Sequence, residues 1–341
     1  MIRRINLDNF FLAHYNRTVD NYTRALHNDC ESKSEGTKKR TLGGRKGRIM
    51  RLPRFEYLAP GTLEEACSFL AKHREEALPF AGGTDLFVKM KQRRIVPGFL
   101  VNLKHIPGMD LIEYDEDKGL RIGALATIQS LKNSVVVKRH FKILAEAAGV
   151  ESSVQIRNVA TLGGNIANAS PAADAPLALI VLGASVILTG SGGQREVLLE
   201  DFFLGPGKSV LQAGEIISEI RVPPPWARTG GTYLKHAIRR TDIAIVSVAV
   251  VIRMAEGVCE DARIALGSVA PTAFRAKGAE KWLKDKKITE ELAGEAARTA
   301  AEESRPIDDI RGYADYRAKT VLEMTKQAIL EATRDARLGG V

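Results

Sequence analysis

A chain of 341 residues exceeds one ordinary domain and predicts two or three. With 45% hydrophobic and 27% charged residues it can bury a sizeable core, which excludes a wholly disordered or fibrous chain. The formal charge of +9 suggests an acidic partner such as nucleic acid, but residues 1–49 hold 11 Lys+Arg against 5 Asp+Glu. That leaves a net of only +3 on residues 50–341.

From 29 to 48 the chain is rich in Lys, Arg, Ser, Gly and Glu with no apolar period, so 1–49 reads as a disordered basic extension. It is either a nucleic-acid or targeting arm, or a solvated stretch ahead of a natural start at Met50. The three cysteines, Cys30, Cys67 and Cys259, are widely separated and form no CxxC pair, which fits a reducing cytoplasm. No apolar run approaches the roughly 18–20 residues that span a bilayer. No apolar core followed by a small-residue cleavage site marks a secretory signal.

A globular pattern begins at Met50. A short strand is predicted at 55–58, a turn at Pro60-Gly61, and then a helix opened by a Thr62/Glu65 capping box with Leu63, Ala66, Phe69 and Leu70 on its apolar face. A strand at 78–81 runs into Gly82-Gly83-Thr84-Asp85, with helical turns over 86–91 and a strand at 99–103. This is a small β-α-β-like unit. A second unit has a strand at 120–123, a helix at 141–148, a Gly/Asn/Ala-rich stretch at 155–174, and a helix at 176–182 stopped by Gly183. A hairpin over 185–188 and 196–199 turns at Gly190-Ser191-Gly192-Gly193, and a strand at 215–222 ends in Pro223-Pro224-Pro225. That triple proline is the strongest linker signal. Beyond it, strands at 232–238, 245–253 and 262–269 predict an antiparallel sheet. Helices near 276–284, 289–302 and 313–334 complete a third, α+β domain.

Two glycine clusters carry the chemistry. In Ala81-Gly82-Gly83-Thr84-Asp85, consecutive glycines after a strand let backbone N–H groups converge on an anion, or else make a plain tight turn. The run from Arg157 to Asp174 is poor in large side chains and suited to lie against a planar or extended ligand. Thr161, Asn165, Asn168 and Ser170 offer hydrogen-bonding groups along it. Asp174 stands where a carboxylate caps the following helix or binds a hydroxyl. Other templates fail. Gly207-Lys208-Ser209 lacks the upstream P-loop glycine, whose position holds Phe202, and no G-x-G-x-x-G or HExxH run exists. No metal site is expected.

These motifs resemble the FAD-binding subunits of molybdenum hydroxylases, such as the carbon monoxide dehydrogenase medium subunit and the flavin subunit of xanthine dehydrogenases. The matching stretches span roughly 50–335. They are Phe80 to Asp85, Gln155 to Asn158 running through Thr161 to Asn165, Ala169 to Asp174, Phe203 to Lys208 with Gly214 to Ile217, and Lys235 to Arg240 followed by Asp242. The resemblance implies an α+β chain with a two-subdomain, PCMH-type FAD-binding fold like that of vanillyl-alcohol oxidase-like flavoproteins. Residues 50–224 would hold FAD (subdomains about 50–105 and 106–224). Residues 228–335 would form a C-terminal domain of antiparallel sheet and helices. It places the 81–86 loop (Ala81, Gly82, Gly83, Thr84, Asp85 and Leu86) at the FAD pyrophosphate through backbone N–H groups, with Phe80 also among the cofactor-binding residues. Thr161, Gly163, Gly164, Asn165 and Asn168 would line the cofactor, Asp174 would bind a ribose or ribityl hydroxyl, and Ile217 would pack against adenine or the ring system. Lys235 would sit by the isoalloxazine as the catalytic residue, favouring its reduced, anionic form.

The resemblance further implies one subunit of a larger cytoplasmic enzyme. Electrons would come from a [2Fe–2S] small subunit beside a molybdenum-cofactor large subunit, and pass through FAD to NAD or another acceptor. No nucleic acid and no transmembrane segment are expected. Two other readings compete: a stand-alone PCMH-type flavin oxidoreductase with its own substrate, and a nucleic-acid-binding protein driven by the basic extension. Co-purification with iron–sulfur and molybdenum subunits separates the first from the main reading, and deletion of 1–49 tests the second.

Overall fold

The computed structural model describes residues 51–338, so the expectations for 1–49 and for a start at Met50 lie outside the described residues. The first unit comprises β1 (Glu56–Leu58), α1 (Leu63–His73), β2 (Ala77–Phe80), α2 (Leu86–Lys91) and β3 (Phe99–Asn102). Its sheet is parallel, in the order β1-β3-β2. Parallel neighbours require crossovers, which α1 and α2 supply. The Thr62 hydroxyl caps α1 by accepting from the Glu65 N–H at 3.2 Å. The Glu65 carboxylate accepts from the Gly61 N–H at 3.1 Å, one residue before the reciprocal bond expected of a capping box. Ala66, Cys67 and Leu70 are buried, while Leu63 and Phe69 are only half-buried.

The second unit is an antiparallel sheet in the order β4-β5-β10-β6-β7 with helices between its second and third strands in chain order. Its elements are β4 (Ile112–Asp115), β5 (Gly119–Gly123), α3 (Ile128–Asn133), α4 (Val135–His140), α5 (Lys142–Val150), α6 (Val154–Arg157), α7 (Leu162–Ala167), α8 (Asp174–Val181), β6 (Ser185–Gly190), β7 (Gly193–Leu198), α9 (Leu199–Phe202), β8 (Phe203–Gly205), β9 (Lys208–Ser209) and β10 (Ile216–Val222). Side-chain oxygens of Thr127, Ser134, Ser153 and Thr161 cap α3, α4, α6 and α7. The glycine-rich stretch is not wholly irregular. Thr161 starts a helix there, and Leu162 and Ile166 are fully buried on its inner side. All eight residues of α8 are buried, as expected of a helix that is apolar all round.

The third unit has β11 (Thr229–His236), β12 (Val246–Ala255), β13 (Val258–Gly267) and β14 (Phe274–Arg275) in one antiparallel sheet, followed by α10 (Lys277–Leu283), α11 (Glu290–Glu303) and α12 (Ala314–Arg337). Strand β12 is buried on both faces. Val246, Val248, Val250, Ile252 and Met254 join the core under α10 to α12, whereas Ala249 and Val251 join the core of the preceding unit. The two-residue period of a strand sends alternate side chains to opposite sides, so one strand serves two cores. After the triple proline, Trp226 lies beneath the guanidinium groups of Arg263 and Arg253, 4.3 and 5.7 Å from its ring centre. Among the described residues no helix is long and apolar enough to cross a membrane.

Arg317 of α12 is 1% exposed. It pairs with Asp309 and donates to the Ser268 carbonyl at 3.2 Å. Asp309 also binds Arg311 at 2.6 Å. The Arg311 hydrogen bond, with that of Arg317, holds the Asp309 carboxyl far below the usual carboxylate range. Asp309→Asn should therefore leave a buried guanidinium uncompensated and lower the stability of the chain by about 3–5 kcal/mol in urea unfolding. The Asp309 contribution is present above its ordinary value of 3.8 and fades as pH falls below it. The variant should lack that part of the wild-type acid sensitivity.

Candidate functional site

One cleft of about 660 Å³ collects residues from all three units. Its walls come from the β2–α2 loop, the segment from Glu151 to Asp174, the start of β10, Lys235 of β11 and the β11–β12 loop at Thr241 to Ile243. Every residue expected at the cofactor lines this cleft except Phe80. The Phe80 ring instead packs on Phe87, 5.2 Å between centres, with the Lys104 ammonium 4.8 Å above it.

The two glycine clusters meet because side chains are absent. A Cβ on Gly82 would lie 2.1 Å from the Val159 carbonyl oxygen, so only glycine lets the β2–α2 loop rest on the 158–160 backbone. A Cβ on Gly163 would lie 2.6 Å from that of Ala124. The Gly163 and Leu162 N–H groups donate to the Ala124 and Ala126 carbonyls at 2.8 and 2.9 Å, which pins the start of α7 beside β5. Thr161 spends its hydroxyl as the cap of α7, accepting from the Gly164 N–H at 3.2 Å. Across the cleft, Lys89 of α2 donates to Asn168 Oδ1 at 2.7 Å. Asp85 stands at the N-cap of α2 but makes no capping bond, and the uncapped first turn lines the cleft.

Asp174 does not cap α8 through its side chain, although it opens that helix. Its carboxylate accepts from Lys235 Nζ at 2.8 Å and from the Tyr233 hydroxyl, and Lys235 also donates to the Val150 carbonyl at 3.2 Å. The side chains of Lys235 and Asp174 are 7% and 5% exposed. Burial raises the Asp174 carboxyl, and the Lys235 charge opposes that rise. Burial and the Asp174 charge hold the Tyr233 phenol well above its ordinary value. Two residues assigned separate duties toward the cofactor are thus each other's ion-pair partners.

Sequence reasoning missed Glu151 and Tyr233. Tyr233 was accessible, because it stands two residues from Lys235 on a strand and so shares its face. Glu151 follows the last residue of α5 and carries no sequence signal. Its Oε1 accepts from Asn165 Nδ2 at 2.8 Å, and its Oε2 is buried without a partner, as is Asn165 Oδ1. Burial first, and then the Asp174 charge, push the Glu151 carboxyl up to about 8. Among the described residues no group of three His, Cys, Asp or Glu side chains could hold a metal ion.

Comparison with known proteins agrees with this geometry. The FAD binding domain in molybdopterin dehydrogenase matches residues 53–225, and the CO dehydrogenase flavoprotein C-terminal domain matches residues 232–332. The carbon monoxide dehydrogenase medium chain of Hydrogenophaga pseudoflava is 37% identical over 277 residues, covering 81% of this chain and 96% of its own. The xanthine dehydrogenase FAD-binding subunit of Escherichia coli O157:H7 is 30% identical, covering 82% and 96%. Among solved structures, carbon monoxide dehydrogenase from Hydrogenophaga pseudoflava superposes with a TM-score of 0.80 at 38% identity, over 83% of this chain and 98% of that one. Quinoline 2-oxidoreductase from Pseudomonas putida 86 gives 0.79 at 32% identity, over 84% and 99%. The chain belongs to this family: it is an FAD-binding medium subunit of the molybdenum hydroxylase type, an oxidoreductase component with a PCMH-type FAD-binding fold and a C-terminal flavoprotein domain.

Proposed function

We propose that this subunit takes electrons from a [2Fe–2S] partner subunit of a cytoplasmic hetero-oligomer that also holds a molybdenum-cofactor large subunit, and passes them through FAD to NAD or another acceptor. The observation that carries this reading is the convergence of both glycine clusters in one cleft, with Gly82 seated on the Val159 backbone. The cleft volume suits a cofactor, within the roughly 300–1,000 Å³ of small-molecule sites. Buried, unpartnered oxygens on Glu151 and Asn165 beside the cleft mark polar capacity that the chain leaves unused. The buried cysteines Cys67 and Cys259 are free thiols, in keeping with a reducing compartment.

FAD, when bound, supplies a carrier that joins one-electron and two-electron chemistry. In this reading residues 50–224 clasp it as two subdomains and 228–335 dock the partner. The Gly82-Gly83 backbone and the uncapped turn of α2 hold the pyrophosphate through N–H groups. Gly163, Gly164 and Asn165 lie along the cofactor, with Ile217 as an apolar wall. Asp174 keeps lone pairs for a ribose or ribityl hydroxyl beyond those used by Tyr233 and Lys235. Lys235 acts on the ring only as half of a neutral pair, a weaker influence than a lone ammonium.

Exposed apolar residues on the segments around the β11–β12 loop, of which Ile243 lines the cleft, support a partner on this side. The Tyr316 hydroxyl lies 2.8 Å from His236 Nε2, and Arg311 donates to the Ala244 carbonyl at 3.3 Å. Ile238, Ile243, Ile307, Ile310 and Tyr313, on the segments these bonds tie together, are exposed.

Purified chain reconstituted with FAD should show flavin absorbance bands, and co-expression should recover iron–sulfur and molybdenum subunits. A chain that retains no flavin under any loading condition would contradict the reading. Gly82→Ala should cut FAD retention at least tenfold while circular dichroism stays native, because the added methyl drives the two loops apart. Lys235→Met should cost about 3–5 kcal/mol by stranding the Asp174 carboxylate, and adding Asp174→Asn should restore most of it in a double-mutant cycle. Ile310→Asp should leave flavin content unchanged and reduce partner co-purification.

A further inference from the structure

Resting on the FAD reading above, we propose that Glu151 holds a proton in the wall of the flavin cleft, and that this proton, not the Lys235 ammonium, balances negative charge that arises there on reduction. Glu151 lines the cleft; its carboxyl accepts from Asn165 Nδ2 at 2.8 Å and faces the Ala175 N–H, which eases its burial only in part. Its second oxygen is buried with no partner. Among the described residues no ion pair reaches it, although the Lys235 charge acts against the rise. A buried carboxylate without a counterion is unfavourable, so the group keeps its proton.

The groups that face it decide the charge. Lys235 and Tyr233 of β11 are both bound to Asp174 of α8. Asp85, at the start of α2, adds a further negative charge. Arg157 of α6 donates to the Glu151 main-chain carbonyl at 2.9 Å and so does not neutralise the carboxyl. The Asp174–Lys235 pair is neutral as a unit. With Glu151 protonated, these three side chains sum to zero; with it ionised, they sum to minus one. The position of the group near pH 8 puts the change within reach of experiment.

Above that pH, reduction of bound FAD should draw a proton from water onto Glu151. The electrons come from the iron–sulfur donor in the enzyme, and from dithionite through mediator dyes in the test. Each tenfold rise in Glu151 proton affinity on reduction appears as about 30 mV in a two-electron couple.

Two measurements on the full chain test this. The first is the thermal midpoint of the FAD-free chain against pH. A raised carboxyl stabilises the fold below its ordinary value of 4.5, and that stabilisation is lost as pH rises through about 8. The wild type should lose stability over that interval, and Glu151→Gln should flatten the profile. The second is the FAD midpoint potential by dye equilibration. The wild type should show a change of slope near pH 8 that Glu151→Gln removes. Glu151→Met serves if the glutamine variant does not fold. A wild-type thermal profile without the loss would overturn the proposal, as would matching potential profiles in wild type and variant. Failure of the wild type to retain FAD would defeat the functional reading and this proposal together. It is distinguishable, because the thermal profile still reports whether Glu151 holds its proton.

Discussion

The structure turns on one buried ion pair. Asp174 opens a helix that has no exposed residue, and its counterion stands on a strand of the next unit. An unpaired charge at either position would be strongly destabilising, so the C-terminal sheet has little freedom to slide along α8. Tyr233, on the same strand face as Lys235, donates to the same carboxylate and makes the register more selective still. The N-terminal end of a helix also favours a negative charge, which gives Asp174 a second reason to ionise where it stands. Docking of the domains and the wall of the cleft are therefore set by the same three side chains.

The cleft itself is made by backbone contact. Ala124, Ala160, Gly82 and Gly163 are small, and the chain segments that carry them touch directly. The open volume lies beside these close backbone contacts. The Lys89–Asn168 bond then ties α2 to the end of α7 across the opening. The loops are fixed by hydrogen bonds and close packing, and a bound cofactor would meet a surface already in place.

Much of this was legible in the sequence, because it rests on local rules. The strand alternation in 245–253, the capping Thr62 and the triple proline each have a short-range signature. So do the glycine pairs, whose lack of a Cβ is visible at once. What escaped was set by tertiary contact. The helix Leu162–Ala167 carries little sequence signal because glycine and asparagine disfavour helices and its stretch is poor in large side chains; its cap at Thr161 and the burial of Leu162 and Ile166 outweigh that propensity. The short strand Ile112–Asp115 is half-buried and recognisable only beside its partner β5. Pairing of Asp174 with Lys235 spans 61 residues, and no local pattern announces it. Glu151 is one carboxylate among 41 acidic residues, distinguished only by where the fold buries it.

Net charge misleads here for a physical reason. Surface charges are screened beyond a Debye length of about 10 Å at moderate salt, so a basic total says little about a buried site. Among the described residues the cations on the cleft wall are Lys89 and Lys235, and both are engaged by the chain. The acids on the same wall are Asp85, Glu151, Asp174, Glu215 and Asp242. A cleft of that composition cannot hold a diphosphate by ion pairing. It can do so through main-chain N–H groups, whose fixed dipoles need no counterion and bring no side-chain entropy to lose. That constraint explains why glycine placement, and not lysine or arginine content, identifies the site. It also explains why a single carboxyl that keeps its proton matters: where both cations described on the wall are engaged, removing one negative charge is a means of admitting another.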